Sequence, residues 1–321
     1  MEYLPWVEKY RPQKIDEIIS HDQNIDIIKK MLQNGSLPHL LFHGTPGTGK
    51  TSLILAIANE LYGNSKNLMI MKLDASDDRG INSVREDIKG FAEKVNMFCK
   101  GVKLIILDEA DSMTFDAQFA LRRIIEKYSK TTRFCLICNY ENKIIPAIRS
   151  RCANFRFSPI SPQHIYTKLS YICANEKISF NENVLESISL LSKGDLRKSI
   201  NFLQSLSLHS THLTLELCYK IAGVPSSDEV KEIFDILLNK ESNYNESITI
   251  VDKLVKSQGY SLSIVLKELV SFLLNNKMKT INTKNLAIYL SEMSDLENRV
   301  TKSTFGDIYM AGLVGIFKKI E

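Results

Sequence analysis

Residues 44–51 read Gly44-Thr45-Pro46-Gly47-Thr48-Gly49-Lys50-Thr51, between the apolar stretch 39–42 and a helical pattern that continues from Ser52. Glycines at the first, fourth and sixth places let the backbone turn tightly and point successive N–H groups at phosphate oxygens. The following helix adds its positive N-terminal end. Lys50 is placed to contact the outer phosphates, and the Thr51 hydroxyl is placed to ligate Mg²⁺. The stretch, called the phosphate loop below, predicts a nucleotide site between a strand and a helix.

Two adjacent acids end a second informative stretch, residues 102–111. Its near-continuous apolar part predicts a parallel strand covered on both faces, and the carboxyl end of such a strand is where open α/β sheets bind ligands. We expect Asp108 to hold Mg²⁺ and Glu109 to polarise the attacking water as a general base. An acidic pair in this position is also a common helix cap. Its combination with the phosphate loop favours the catalytic interpretation.

Apolar strands alternate with amphipathic helices from residue 4 to about residue 159. This alternation predicts a parallel sheet with helices on both faces. The predicted strands are 40–42, 68–73, 104–107 and 134–138, and the predicted helices begin near residues 50, 82 and 116. Two prolines within residues 158–162 then end the pattern.

Beyond these prolines the apolar residues recur at helical spacing, and we expect no strand. A second break lies at residues 223–227. The two breaks predict three domains, residues 1–160, 161–226 and 227–321. Residues 262–274 are apolar on more than one side, so this helix should pack between other helices or between subunits.

The composition restricts the class of protein. A chain of 321 residues, 44% hydrophobic and 24% charged, is typical of a soluble globular protein of two or three domains. We expect no membrane segment, because no apolar stretch approaches the roughly 20 residues that a span requires, and an intracellular location. Cys135 and Cys138 lie three apart on a predicted strand, so they should face opposite sides as core thiols. A net charge of +4 gives no general basic field, so nucleic acid would need a local patch.

Three polar residues suit nucleotide chemistry by their position. Asn139 directly follows a predicted strand and should emerge at the same sheet edge as Asp108, where it could orient water or touch the γ-phosphate. An Asn that ends a strand is by itself more often a turn residue, and the parallel-sheet context favours the functional interpretation here. Arg197 could reach the phosphates from the second domain, or be a solvated helix-face arginine. Arg151 could serve a neighbouring subunit as an arginine finger, or be a surface arginine.

A phosphodiester-binding surface is a further hypothesis. Residues 76–81 introduce a helix whose surface carries Arg85 and Lys89 one turn apart, and Lys143 could join them. Helix N-termini with arginines suit a nucleic-acid backbone without reading bases. A solvated helix face is the alternative.

Together these stretches resemble the small subunits of replication factor C, the sliding-clamp loader among the AAA+ ATPases. The match covers most of the chain, although the C-terminal helices match only in length and helicity. Within the family, residues 143–147 and 19–21 resemble most the eukaryotic branch numbered third in yeast. The stretches that carry the resemblance are 6–12, 74–81, 108–111, 120–123, 150–152 and 194–197.

The resemblance implies a P-loop AAA+ domain, a helical lid and a helical collar, with ATP and Mg²⁺ bound by residues 44–52. It further implies roles for individual residues. Val7 and Arg11 would border adenine and ribose, and Asn139 and Arg197 would be the first and second sensors of the nucleotide. Arg151 would be the arginine finger that acts on a neighbouring subunit. Gln118 would link DNA contact to the catalytic acid, and the contacts to duplex DNA would be Arg79, Arg85 and Lys143.

By the same resemblance, a nuclear hetero-pentamer would open a ring-shaped clamp with ATP and place it on primer-template DNA. Two alternatives stay open: a nucleotide-bound structural subunit whose hydrolysis is dispensable, and an AAA+ DNA-unwinding motor. Two residues depart from the family pattern. Asp74 replaces a common Asn near the active face and could alter the restraint on Glu109, whereas Thr45 replaces a common Pro with little expected effect.

Overall fold

The computed structural model describes residues 4–75, 81–94, 101–239, 242–276, 282–303 and 308–319. The chain forms two compact units, Met1–Thr211 and His212–Glu321. Among the residues described, no helix has both the length and the apolar character needed to cross a membrane.

A parallel sheet forms the centre of the first unit. Its strands are β1 (His39–Gly44), β2 (Ile70–Asp74), β3 (Lys103–Asp108), β4 (Thr132–Cys138) and β5 (Cys152–Phe157). The spatial order is β2-β3-β4-β1-β5, and every neighbouring pair is parallel. Because β1 is bordered by β4 and β5, the phosphate loop leaves the sheet beside the end of β4.

Side chains alternate between two apolar cores, one on each face of the sheet. Leu40 and Phe42 of β1 join one core, and Leu41 joins the other. Cys135 and Cys138 are divided in the same way, which confirms that they face opposite sides. The predicted α/β fold with a doubly covered parallel sheet is therefore confirmed.

The helices of the first unit cover both faces of the sheet and then continue beyond it. Their bounds are α1 (Trp6–Lys9), α2 (Asp22–Gln33), α3 (Lys50–Tyr62), α4 (Lys66–Met69), α5 (Ile81–Glu93), α6 (Phe115–Tyr128), α7 (Pro146–Arg149), α8 (Pro162–Glu176), α9 (Val184–Ser192) and α10 (Leu196–His209). We refer to α8–α10 as the lid segment.

Three details differ from the expectations. The strand β5 was not among the predicted strands, because its sequence, CANFRF, has no continuous apolar run. The strand expected at 68–73 begins at Ile70, since residues 66–69 form a helical turn. The expectation of no strand beyond residue 162 is wrong at β6 (Ser179–Phe180) and β7 (His212–Leu213). Strands of two residues are too short to give a periodic signal.

In the described part of the second unit, the regular structure is helical apart from β7. Its helices are α11 (Leu215–Ala222), α12 (Ser227–Leu238), α13 (Tyr244–Gln258), α14 (Leu262–Asn276), α15 (Thr283–Lys302) and α16 (Ile308–Lys319). The apolar residues of α14 lie in one core with those of α12 and α15. The expectation that this helix packs between other helices is confirmed.

Candidate functional site at the carboxyl edge of the sheet

A cavity of about 270 Å³ lies at the carboxyl edge of the sheet in the first unit. The lining comes from the phosphate loop and the start of α3, the ends of β2 (Asp74), β3 and β4, Ile160, the N-terminal segment (residues 4–19) and the lid segment. The predicted site residues in its lining are 46–52, Val7, Arg11, Asp108, Glu109, Asn139 and Arg197. Gly44, Thr45, Gln118, Lys143 and Arg151 lie outside the lining.

The Lys50 ammonium joins the phosphate loop to the end of β4. Its Nζ donates hydrogen bonds to the carbonyl oxygens of Gly44 at 2.7 Å and Thr45 at 2.8 Å. It also lies 3.3 Å from Oδ1 of Asn139. Burial lowers the pKa of Lys50 below its usual value, because a charge removed from water is less stable. Phosphate oxygens in this cavity would therefore be strong acceptors for the ammonium.

A hydroxyl and a carboxylate are adjacent where a divalent cation would bind. The Thr51 Oγ1 donates a hydrogen bond to Oδ2 of Asp108 at 3.2 Å, and Lys72 Nζ lies 3.6 Å from the same oxygen. Mg²⁺ is bound by few protein oxygens together with water and substrate phosphates. The pair therefore fits Mg²⁺. Within the described part of the chain, no cluster of three or more His, Cys, Asp or Glu could hold a metal ion.

The chain bends sharply after β3, and the two acids that follow, Glu109 and Asp111, have different surroundings. Glu109 has φ +53° and lies in the cavity lining. Asp111 instead accepts the backbone N–H groups of Asn139 and Tyr140, each at 3.3 Å on Oδ2. The sequence pattern by itself assigned Asp111 no separate role. The carboxylate fixes the backbone of the segment that carries Asn139.

The lid segment contacts the phosphate loop directly. The Leu196 N–H donates to the Gly47 carbonyl oxygen at 3.1 Å. The Asp195 carboxylate caps α10 by accepting the Lys198 N–H at 3.0 Å, and it packs against Gly47. This contact brings Arg197 into the cavity lining. Asp195 was missed by sequence analysis, although an Asp before a helical pattern is a cap signal.

The N-terminal segment is fastened to the lid segment by three hydrogen bonds. Lys9 Nζ and the Tyr10 hydroxyl donate to Oε1 of Glu176 at 2.6 and 2.5 Å. The Trp6 N–H donates to Oε1 of Gln204 at 3.1 Å. Nothing in the sequence pattern pairs these residues, which lie more than a hundred positions apart.

Gln118 is a buried connector between α6 and the loop that follows β4. Its Nε2 donates to the carbonyl oxygens of Met113 at 3.2 Å and Lys143 at 3.0 Å, while its Oε1 accepts the Ile145 N–H at 2.9 Å. The Lys143 Nζ lies 5.3 Å from the centroid of the Tyr140 ring. The side chain predicted to transmit DNA contact therefore bonds the backbone of a predicted DNA-contact residue.

Arg151 lies outside the cavity lining, and a carboxylate of its own subunit holds it. Its NH2 group forms a 2.5 Å ion pair with Glu126 Oε1, and its NH1 group donates to the Ala147 carbonyl oxygen at 2.6 Å. For the other two predicted DNA contacts, Arg79 lies outside the described residues. Arg85 belongs to α5, and its side chain is not described.

Three family profiles match successive parts of the chain. The ATPase family associated with various cellular activities matches residues 40–160, the RCF1/5-like AAA+ ATPase lid domain matches residues 167–208, and the replication factor C C-terminal domain matches residues 225–315.

Proteins that are similar to this chain over nearly its whole length are named as replication factor C subunits. The probable replication factor C subunit 5 of Dictyostelium discoideum is 44% identical over 99% of this chain and 91% of its own length. The human replication factor C subunit 5 is 41% identical over 98% and 92% of the two chains. The Saccharomyces cerevisiae replication factor C subunit 3 is 38% identical over 99% and 94%.

A solved structure of similar fold is the Thermotoga maritima RuvB Holliday junction branch migration motor. It has a TM-score of 0.53 at 16% identity, covering 82% of this chain and 90% of the motor. At this identity the likeness shows the fold alone.

Proposed function

The chain belongs to the replication factor C family of AAA ATPases, and from this membership we propose that its cavity binds ATP with Mg²⁺ at an interface with a neighbouring subunit. The chain is an ATPase subunit of the clamp loader that acts in DNA replication. It works as part of a hetero-oligomeric complex. The sequence-based expectation of a clamp-loader ATPase is thereby confirmed.

The observation that carries the proposed site is the meeting of Lys50, Asn139 and the Thr51–Asp108 pair at one cavity edge. Lys50 and the N–H groups of the phosphate loop bind the phosphates. Mg²⁺ held by Thr51 and Asp108 would neutralise phosphate charge. Glu109 takes the proton of the attacking water, whose position Asn139 fixes. The reaction is phosphoanhydride hydrolysis.

The N-terminal segment and the lid segment bind the other parts of the nucleotide. Val7 and Arg11 border the base and the ribose. Arg197 approaches the phosphates from the lid segment, as the second sensor. Because Leu196 bonds the phosphate loop at Gly47, the position of α10 follows the state of that loop. The lid segment therefore distinguishes the nucleotide before hydrolysis from the product.

DNA acts on this site through the loop after β4. Arg79, Arg85 and Lys143 contact the phosphodiester backbone of primer-template DNA. A movement at Lys143 reaches Gln118 through its 3.0 Å hydrogen bond, and it continues to the Met113 carbonyl oxygen, four residues beyond Glu109. We infer that this connection frees Glu109 to activate water once DNA is bound.

The complete clamp-loader complex is a hetero-pentamer in the nucleus. Its spiral opens a ring-shaped sliding clamp, and Arg151 completes the site of the neighbouring subunit. The domains would be 1–160 for nucleotide and DNA, 161–226 for the lid and 227–321 for the collar. Hydrolysis then weakens the hold on clamp and DNA.

The test changes Glu109 to Gln in this subunit alone, within the assembled complex. We expect ATP binding to persist, because the amide keeps the size of the side chain, while hydrolysis at this site falls about a hundredfold or more. Clamp should be captured with ATP but released slowly from primed DNA, as followed by fluorescence energy transfer. The exposed Glu60→Gln variant is the matched control. Normal hydrolysis by the Glu109→Gln site, with the other sites inactivated, would contradict the assignment.

The Glu109→Gln variant also tests the alternative that this chain is a structural subunit. A nucleotide-bound subunit with dispensable hydrolysis predicts unchanged clamp release after Glu109→Gln, whereas the present proposal predicts slower release. The unwinding motor is not favoured, because the likeness to the branch migration motor is one of fold alone.

A further inference from the structure

Lys168 is a cation in the cavity lining to which no motif assigned a function. It lies in α8, on the lid segment, and only 9% of its surface is exposed. Lysines are almost never this buried unless they are paired. Among the described residues, none forms a hydrogen bond or an ion pair with its ammonium, and its Nζ is not one of the fully enclosed polar atoms that lack a partner.

Two neighbouring residues, Tyr171 and Glu17, interact with this ammonium without accepting a hydrogen bond from it. Lys168 Nζ lies 5.4 Å from the centroid of the Tyr171 ring, a distance suited to a cation–π contact. The Glu17 charge also attracts it, but the Glu17 carboxylate already accepts the backbone N–H groups of Gln13 and Lys14. Burial lowers the pKa of Lys168 despite this attraction. An ammonium has three N–H donors, and those of Lys168 are open to the cavity, where a bound molecule could accept them.

Lys168 shares the cavity lining with the N-terminal residues Val7, Tyr10, Ile18 and Ile19. Glu17, whose charge attracts Lys168, directly precedes Ile18.

The aromatic partner of Lys168 places it beside the part of the cavity that the N-terminal segment lines. The Tyr171 ring packs edge-on against Tyr10, with 6.2 Å between ring centroids, and Tyr10 lines the cavity beside Val7. This apolar end has the character of a base pocket, in which a few placed polar groups determine orientation.

We propose that Lys168 binds the nucleoside part of the nucleotide by donating a hydrogen bond to a base nitrogen or a ribose oxygen. This inference rests on the proposed function, because it requires a nucleotide in the cavity. It assigns affinity for the nucleoside to a lid residue. The lid segment would then be drawn to the nucleotide at two points, Arg197 at the phosphates and Lys168 at the nucleoside.

The experiment measures nucleotide binding by the purified full-length chain, by competition with a fluorescent ATP analogue. In Lys168→Met the ammonium is lost and the apolar stem is kept. We expect the affinity for ATP to fall about tenfold or more, because a hydrogen bond from a charged donor is lost, and we expect no change for inorganic tripolyphosphate. Lys168→Arg should bind ATP within a fewfold of the natural chain. The exposed Lys177→Met, at the end of the same helix, is the matched control.

ATP analogues identify the atom of the nucleotide that accepts the hydrogen bond from Lys168. They also provide a test that does not depend on a single protein variant. ATP analogues that each lack one ring nitrogen or the ribose 2′-hydroxyl are compared on the natural chain and on Lys168→Met, or on Lys168→Gln if the Met variant does not fold. One analogue should bind more weakly than ATP to the natural chain only. Unchanged ATP affinity in Lys168→Met, or equal losses for ATP and tripolyphosphate, would overturn the inference.

A Lys50→Ala variant distinguishes this failure from that of the proposed function. If Lys50→Ala loses ATP while Lys168→Met binds normally, only the inference about Lys168 is wrong. If Lys50→Ala also binds ATP normally, the cavity is not the nucleotide site and both are wrong.

Discussion

Gly47 is the point at which the phosphate loop and the lid segment touch. It has φ +69°, a backbone conformation that side chains rarely adopt. A Cβ atom built on it would lie 1.7 Å from Oδ1 of Asp195, and its carbonyl oxygen accepts the Leu196 N–H. The glycine is therefore required by its conformation and by the close approach of α10.

Replacement of Gly47 by Ala should displace α10 from the phosphate loop and weaken ATP binding about tenfold or more. The physical reason is the overlap with the Asp195 carboxylate, added to about 1 kcal/mol or more of backbone strain. Equilibrium binding to the full-length chain measures the loss. Gly90→Ala is the control, because nothing lies within 4 Å of its added Cβ and its φ is ordinary.

The double variant Gly47→Ala with Asp195→Ala tests the cause of that loss. Removing the carboxylate should recover part of the affinity, while the strain at the positive φ stays. If the double variant binds no better than Gly47→Ala, the contact with Asp195 is not the reason that this position is glycine.

Helix α1 is held by the lid segment rather than by its own length. Four residues are too few for a stable isolated helix, so its docking depends on bonds to other parts of the chain. Glu176 supplies two of these bonds, to Lys9 and Tyr10. The hydrogen bond from Lys9, followed by that from Tyr10, lowers the pKa of Glu176 below 4.5.

Glu176→Gln should release α1 and change the fluorescence of Trp6, the single tryptophan of the chain. In the natural chain the pH dependence has a definite sign. Because the pKa of Glu176 is lower in the folded state, its stabilising contribution is present above about pH 4.5 and is lost as the pH falls through the folded value. We expect the Trp6 signal of the natural chain to titrate below pH 4.5 and that of Glu176→Gln to lack this step.

Glu182→Gln, an exposed carboxylate of the lid segment without a hydrogen bond to α1, is the control for this titration. A Trp6 signal that titrates identically in the natural chain and in Glu176→Gln would show that another carboxylate holds the helix.

The proposed interface requires an arginine that acts outside its own subunit. Arg151 is kept at the surface of the first unit by the ion pair with Glu126, which also accepts the Arg122 Nε–H at 3.0 Å. A half-exposed pair of this kind is weak, so Arg151 can exchange Glu126 for a phosphate of the neighbouring site at small cost.

Arg151→Ala should therefore leave nucleotide binding by this chain unchanged and lower hydrolysis at the neighbouring site about a thousandfold, within the range of arginine fingers. Single-turnover hydrolysis in a complex with only that neighbouring site active measures the effect. Arg122→Ala, which removes the other arginine on Glu126, is the matched control. Equal losses in Arg122→Ala and Arg151→Ala would assign the effect to the Glu126 cluster rather than to a finger.

Much of the first unit could be predicted because its signals are local. The apolar stretches at 40–42, 104–107 and 134–138 lie within observed strands, since a buried parallel strand needs a continuous apolar run. The edge strands β2 and β5 were misplaced or missed. An edge strand is buried on fewer sides, so its sequence is less constrained.

The sequence by itself determined the phosphate loop, the acids after β3 and the polar residue after β4, because each follows from chemistry and spacing within about ten residues. Only the tertiary structure decided that Asp195 meets Gly47, that Glu176 holds Lys9 and Tyr10, and that Lys168 is buried in the cavity lining without an acceptor. The contacts of Asp195 and Glu176 join segments separated by more than a hundred residues. No short-range periodicity encodes such a contact, because it depends on how the lid segment packs after the sheet has formed.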